Sequence, residues 1–247
     1  MLNKEHLFDI IDIDPFGTPS MFTQSTAINI RPGGLICISA TDTSALCGTY
    51  HDPCLRKYGA QPLKTEYCHE NGIRILLAFI ARNLAVNQKY MHVLFSHSTE
   101  HYMRIYAVIK RGGKKTNESL NNIGFITHCP NCLHRDTFYG FVPKVPTTCP
   151  ECGEKYLVAG PLWLGNISDK EFIGDMIDTA EELELNKKED LLKYDDINYL
   201  NYLEICINDF CNMNCKGCSH FANLAPKEFE DYEQMEKDFV RLRQIFS

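Results

Sequence analysis

The sequence lacks an apolar run long enough to cross a bilayer. Its most apolar stretch, Ile73–Val86, is interrupted by Arg74 and Arg82, which excludes a helical span there. The opening residues, MLNKEHLFDIIDID, place acids where a secretory signal needs an apolar segment, so nothing marks export. No G-x-G-x-x-G occurs anywhere, which removes the glycine-rich strand–helix turn of dinucleotide-binding domains. Internal repeats and low-complexity tracts are missing too. Extreme charge is also lacking: 23% of residues are charged and 44% hydrophobic, which excludes a disordered chain.

What is present is a length of 247 residues, enough for one or two domains, and 12 cysteines. Without an export signal, that cysteine content favours free thiols or metal ligands over disulfides, and the cytoplasm is the expected compartment. The net charge of −7 is unevenly spread: residues 1–168 carry 16 Lys/Arg against 13 Asp/Glu, whereas residues 169–196 carry 4 against 11. A mildly basic body of this kind permits polyanion binding without requiring it.

Phe8–Asp14 (FDIIDID) reads as a buried strand ending in acids, Pro19–Ile30 as a helix, and Gly33–Asp42 (GGLICISATD) as a second strand. Strand, helix, strand is the βαβ unit of a mostly parallel sheet. Glu66–Lys89 predicts a long helix with an Ile73, Leu76, Leu77, Ile80, Leu84 stripe. Met91–Ser96 and Tyr102–Lys110, joined by a short link, predict an antiparallel pair. Arg111–Asn122 reads as a polar, flexible linker, Asp169–Asp196 as an acidic helix, Asn198–Asn208 as a strand and Phe229–Phe246 as an amphipathic helix.

Two cysteine sets carry metal chemistry. Cys129-Pro-Asn-Cys132 and Cys149-Pro-Glu-Cys152 are separated by 16 residues, and two such knuckles can complete a tetrahedron around zinc. Four sulfurs leave no open position, so that zinc is expected to be structural. His128 and His134 flank the first knuckle and read as surface residues. Cys211, Cys215 and Cys218 form CxxxCxxC, three thiolates that can hold a 4Fe-4S cluster with one iron free. Cys206 reads as a core residue of the preceding strand. Cys47, Cys54 and Cys68 lack ligand spacing and read as core or loop thiols, and His69-Glu70 has no second histidine at zinc-protease spacing.

Asp14-Pro15-Phe16-Gly17 closes the first strand. The Asp14 carboxylate and the Pro15 carbonyl can accept both N–H bonds of an exocyclic amine, and Phe16 can stack on a flipped base. A plain turn after a strand is the alternative.

FDIIDIDPFGTP, ATDTSALCG, CLRKYGA, EYCHENGIRILLAFIAR and EHYMRIY together resemble the tRNA (guanine-26-N2)-dimethyltransferases over about residues 8–186. The resemblance implies an α/β fold: the C-terminal half of a class I (Rossmann-like) methyltransferase sheet, then a small zinc-ribbon domain and a βα fragment. The implied divisions are residues 1–118 (partial methyltransferase domain), 119–168 (zinc-ribbon part of the tRNA-binding domain), 169–197 (acidic helix or linker) and 198–247. It implies S-adenosylmethionine as methyl donor, guanine N2 of tRNA as acceptor, and Asp14, Pro15 and Phe16 on the catalytic turn. Cofactor-binding residues are expected upstream of Met1. Residues 198–247 resemble instead the N-terminal part of a radical S-adenosylmethionine enzyme. Two rivals to the methyltransferase reading therefore stand: a radical iron–sulfur enzyme, and a non-catalytic zinc-ribbon module that binds RNA. Arg56, Lys57, Lys64, Arg104, Lys110, Arg111, Lys114 and Lys115 are candidates for tRNA phosphate contacts. No membrane and no protein partner are expected.

Overall fold

The computed structural model describes residues 7–99 and 101–182. Its first sheet begins with β1 (Phe8–Ile13), which helix α1 (Ser20–Asn29) connects to β2 (Ile30–Ala40), and the two strands run parallel. Helices α2 (Thr43–Leu46), α3 (His51–Tyr58) and α4 (Cys68–Ala85) follow. The antiparallel pair β3 (Lys89–Thr99) and β4 (Tyr102–Arg111) then returns to the sheet, with β4 beside β2. The strand order is β1-β2-β4-β3, so the sheet is mixed and the fold is α/β. Helix α5 (Gly113–Leu120) leads into a second, antiparallel sheet of β5 (Ile123–His128), β6 (Arg135–Tyr139) and β7 (Leu157–Trp163), ordered β6-β5-β7. Helix α6 (Lys170–Glu182) closes the described residues, all of which fall in one compact unit. Among the described residues no helix is long and apolar enough to cross a membrane.

Period-two patterning sets the core. Ile36, Ile38 and Ala40 of β2, with Met103, Ile105, Ala107 and Ile109 of β4, point to one face of the first sheet and are fully buried against α4. The expected stripe of α4 lies there, but Ile75 and Ala78 beside it are equally buried. The reason is tertiary: Ala159, Leu162 and Trp163 of β7 belong to the same core, so α4 is packed between two sheets. The opposite face of the first sheet receives α6, where Ile173, Ile177 and Ala180 meet Phe95.

Charges inside these apolar runs are satisfied by carbonyls. Lys89, almost fully buried, donates from Nζ to the carbonyls of Ala27 (2.8 Å), Ile28 (3.1 Å) and Ile30 (2.6 Å), capping the end of α1. Arg74 donates from Nη1 to the carbonyls of Trp163 (2.9 Å) and Gly165 (3.0 Å) and from Nε to Glu70 (2.8 Å). Arg74→Met keeps the stem but leaves these acceptors without a partner. It is expected to lower unfolding free energy by about 1–3 kcal/mol, read from the urea midpoint; an unchanged midpoint would make the bridge to β7 energetically neutral.

Three expectations from the sequence are corrected. β1 is not a buried strand: Phe8 is 56% and Ile10 43% exposed, because β1 is the edge of the sheet and, among the described residues, pairs only with β2. Arg111–Asn122 is not a flexible linker but contains α5. Thr116 is buried and donates to the Gly112 carbonyl at 2.9 Å, and Leu120 packs on the core, so the turn has an inward face despite its polar composition. His128 is not a surface residue: it is 5% exposed and its Nδ1 lies 3.0 Å from the Tyr67 hydroxyl. The remainder of the acidic helix, the 198–208 strand with Cys206, and the 229–246 helix lie outside the described residues.

Candidate active site

β1 and β2 run in the same direction, so their carboxyl ends open onto one edge of the sheet, where α/β folds bind ligands. Asp14-Pro15-Phe16-Gly17 lies at the end of β1. Asp14 is exposed and Phe16 is 86% exposed, so the described residues leave the corner uncovered. Beside it runs an open groove of about 600 Å³ whose walls include Ile10, Ile13, Asp14, Pro15 and Phe22.

The turn itself is held firmly. Gly17 has φ +103°, a left-handed conformation that side-chain-bearing residues avoid. Its N–H donates to Thr41 Oγ1 (2.6 Å), and the Thr41 N–H returns a bond to the Gly17 carbonyl (2.9 Å). One residue on, Thr18 Oγ1 donates to the Tyr58 hydroxyl (2.9 Å), which donates to Asp42 Oδ1 (2.7 Å), while Lys57 Nζ holds Asp42 Oδ2 (2.9 Å). Burial, reinforced by the Asp42 charge, pushes the Tyr58 hydroxyl well above the ordinary tyrosine range, so it remains a donor. Thr18, Thr41, Asp42 and Tyr58 were not candidates from the sequence. The only sequence signal is that ATD closes β2 as DPFG closes β1.

Cys129, Cys132, Cys149 and Cys152 come together, with all four sulfurs within 4.8 Å of one another. Cys129 and Cys152 sulfurs are 3.4 Å apart, and those of Cys132 and Cys149 are 3.5 Å apart. The two knuckles have the same backbone. In the first, the Cys129 N–H bonds the His134 carbonyl (2.9 Å) and the Leu133 N–H the Cys129 carbonyl (3.0 Å). In the second, the Cys149 N–H bonds the Glu154 carbonyl (2.8 Å) and the Gly153 N–H the Cys149 carbonyl (2.9 Å). The backbone N–H of Glu154, followed by the Cys129 thiol, pulls the Cys152 thiol down to about 6. Leu133 occupies the left-handed position (φ +62°) that glycine fills in the other knuckle (Gly153, φ +74°). Leu133→Gly is therefore expected to stabilise the protein by about 0.5–1 kcal/mol, seen as a higher thermal midpoint; a lower midpoint would show that the exposed leucine is held by packing.

A third cluster escaped the sequence because Cys47 stands well apart in the chain from the adjacent Cys68 and His69. Cys47, Cys68 and His69 bring one donor atom each within 4.8 Å of one another, whereas Cys54 is simply buried in the core. A hydrogen bond from Cys47 pulls the Cys68 thiol down to about 6, and Cys47 is raised in turn. Of the basic candidates, Arg104 is tied into the sheet by Asp12 (2.6 Å), Ser39 (2.5 Å) and Tyr106 (2.9 Å), and Lys57 by Asp42. Arg56, Lys64, Lys110, Arg111, Lys114 and Lys115 are exposed. Between α4 and the second sheet lies a cleft of about 310 Å³ lined by Tyr67, Glu70, Asn71, Ile126 and Arg135. Cys211, Cys215 and Cys218 lie outside the described residues.

Residues 1–206 match the family model described as TRM: N2,N2-dimethylguanosine tRNA methyltransferase, which extends past the expected limit near residue 186. The chain is 78% identical over 190 residues to the tRNA (guanine(26)-N(2))-dimethyltransferase of Methanosphaera stadtmanae, covering 77% of this chain and 49% of the relative. It is 55% identical over 230 residues to the Methanothermobacter thermautotrophicus protein of the same name, covering 93% of this chain and 55% of that one. Among solved structures, the complex of Trm1 from Pyrococcus horikoshii with S-adenosyl-L-methionine is similar, with a TM-score of 0.69 and 34% identity, over 79% of this chain and 51% of that one. The chain thus spans about half the length of the curated relatives it matches.

Proposed function

The chain belongs to the N2,N2-dimethylguanosine tRNA methyltransferase family, and from that premise we propose that it carries the acceptor side of tRNA guanine-26 N2 dimethylation in the cytoplasm. The single observation that supports the reading most directly is the uncovered Asp14-Pro15-Phe16 corner at the carboxyl end of β1. The first sheet reads as the C-terminal half of a class I methyltransferase sheet: a parallel pair, then an antiparallel pair with the last strand inserted. Residues 1–118 form that half in this proposal, and residues 119–168 the zinc-ribbon part of a tRNA-binding domain.

The amino group on guanine C2 is a poor nucleophile because its lone pair is delocalised into the ring. Asp14 and the Pro15 carbonyl accept its two N–H bonds, which turns the lone pair out of conjugation and toward the methyl donor. Phe16, with its face free, stacks on the base once it has left the helix. Asp14 takes the proton as the nitrogen is alkylated, when the amine becomes acidic. After the first transfer the amine keeps one N–H, and the same carboxylate orients it for the second. S-adenosylmethionine, when bound, supplies a sulfonium methyl as electrophile, and the groove open beside Asp14 fits a donor brought to that edge. No described residue is assigned to holding it.

The four knuckle thiols fit a zinc ion. Bonds of about 2.3 Å put tetrahedral sulfurs about 3.8 Å apart, close to the separations of 3.4 and 3.5 Å here. With all positions filled by sulfur, the ion would cross-link the second sheet and take no part in transfer.

The test is a chimaera in which the 190 aligned residues of this chain replace their counterparts in the Methanosphaera stadtmanae relative. It is expected to form N2,N2-dimethylguanosine at position 26 of a tRNA transcript and none when that guanine is replaced by adenine. Tight tRNA binding without methylation would favour the non-catalytic module and overturn the proposal.

A further inference from the structure

Cys47, Cys68 and His69 stand outside everything the proposed reaction uses. Two contacting backbones hold them together. Gly48, with φ +85°, lies so close to the Leu63–Lys64 backbone that a Cβ there would come within 2.5 Å of Leu63 C and Lys64 N. The residue before it, Cys47, caps the end of α2, and the segment after Lys64 runs into α4, whose first two residues are Cys68 and His69. We propose that these three side chains form a second metal site, a Cys2His set for a zinc-like divalent ion, which ties the loop after β2 to the start of α4.

The donor geometry is nearly in place. Cys68 Sγ lies 3.9 Å from His69 Nδ1, and all three donors fall within 4.8 Å. Bonds of about 2.0–2.3 Å put tetrahedral donors about 3.3–3.8 Å apart, so closing on an ion asks for donor–donor distances to shorten by at most about 1–1.5 Å from the 4.8 Å limit. Two thiolates and an imidazole suit zinc and other thiophilic ions and disfavour magnesium or calcium. Cys47 is buried, whereas Cys68 and His69 are half-buried, so water can reach a fourth position. The site has a mechanical consequence as well. Thr41, which clamps Gly17, lies six residues before Cys47, at the other end of the segment that carries α2. An ion here therefore fixes the far end of the segment that holds the turn.

The full chain carrying Cys211→Ser, Cys215→Ser and Cys218→Ser, which removes the C-terminal thiols as competing ligands, is loaded with zinc under reductant and dialysed, and its metal content is measured. About two zinc ions per chain are expected. Cys68→Ser and His69→Ala should each reduce this to about one, and so should Cys129→Ser with Cys132→Ser. The zinc left on the knuckles reports that the first two variants remain folded, which is why the half-buried positions carry the test rather than Cys47. Cobalt(II) offers a second readout: its thiolate charge-transfer absorption should fall in Cys68→Ser while the knuckle contribution persists. One zinc per chain in the parent, kept in Cys68→Ser and lost in Cys129→Ser with Cys132→Ser, would overturn the proposal; one zinc lost in Cys68→Ser would instead support it and empty the knuckles. Two in Cys68→Ser and in His69→Ala would also overturn it, as would a Cys47–Cys68 disulfide recovered from the zinc-loaded parent.

Discussion

Asp14→Ala, made in the active chimaera, is expected to cut methyl transfer to tRNA guanine 26 by about 10²–10⁴-fold while leaving tRNA affinity within about twofold. The asymmetry follows from geometry. Asp14 is exposed at the end of β1 and none of its side-chain bonds holds the turn together; Gly17, Thr41, Thr18 and Tyr58 do that. Removing the carboxylate takes away one acceptor for the amine and the base that receives its proton, and little else. The loss should fall on the rate at saturating tRNA rather than on the tRNA concentration needed to reach it. Asp14→Asn separates the two roles: the amide oxygen can still accept a hydrogen bond but cannot take the proton, so most of the loss should remain. Thr41→Val is the structural control. It removes the hydroxyl that accepts from the Gly17 N–H while keeping the backbone bond to the Gly17 carbonyl, and should lower stability as well as rate, which Asp14→Ala should not. Undiminished methylation in Asp14→Ala would remove this residue from the chemistry.

The second large effect is expected from the knuckles. Cys129→Ser with Cys132→Ser should release the zinc assigned to them, and zinc binding at structural sites contributes on the order of 10 kcal/mol to folding in small zinc domains. The loss should be local. Ile123, Ala159, Leu162 and Trp163 anchor the near side of the second sheet to α4, so β5 and β7 retain that packing. The knuckle end has only Cys129, Cys149 and Tyr156 in its own small cluster. Amide exchange at Cys129, Leu133, Cys149 and Gly153 should accelerate by about 10²-fold or more, while exchange in Ile36–Ala40 stays slow. Strong chelation of the parent protein should reproduce this pattern. Unaltered zinc content, or exchange that rises equally in both sheets, would count against a local staple.

Much of the candidate site was legible because its signals are local. A strand closing in an acid, a proline and an aromatic ring is a contiguous string, and so is each CxxC. The two CxxC pairs could be joined on paper because tetrahedral zinc demands four ligands. What stayed hidden depends on contacts between distant residues. Tyr58 reads as the end of a short helix, yet it relays hydrogen bonding between Thr18 and Asp42. Lys114 and Lys115 read as part of a linker, but Thr116 and Leu120 give that segment an inward face once α4 is beside it. Arg104 looks like a surface cation in the string EHYMRIY, but in the sheet it bridges Asp12, Ser39 and Tyr106 on three strands.

The sequence by itself determined the parallel-then-antiparallel strand plan, the turn at residues 14–17 and the pairing of the knuckle cysteines. Each follows from hydrophobic period or ligand count within a short window. The tertiary structure alone decided that β1, among the described residues, pairs on one side only, that α4 is packed on two sides, and that Cys47 meets Cys68 and His69. In each of these cases the deciding quantity is which surfaces are or are not removed from water by segments that lie outside any short window of the chain.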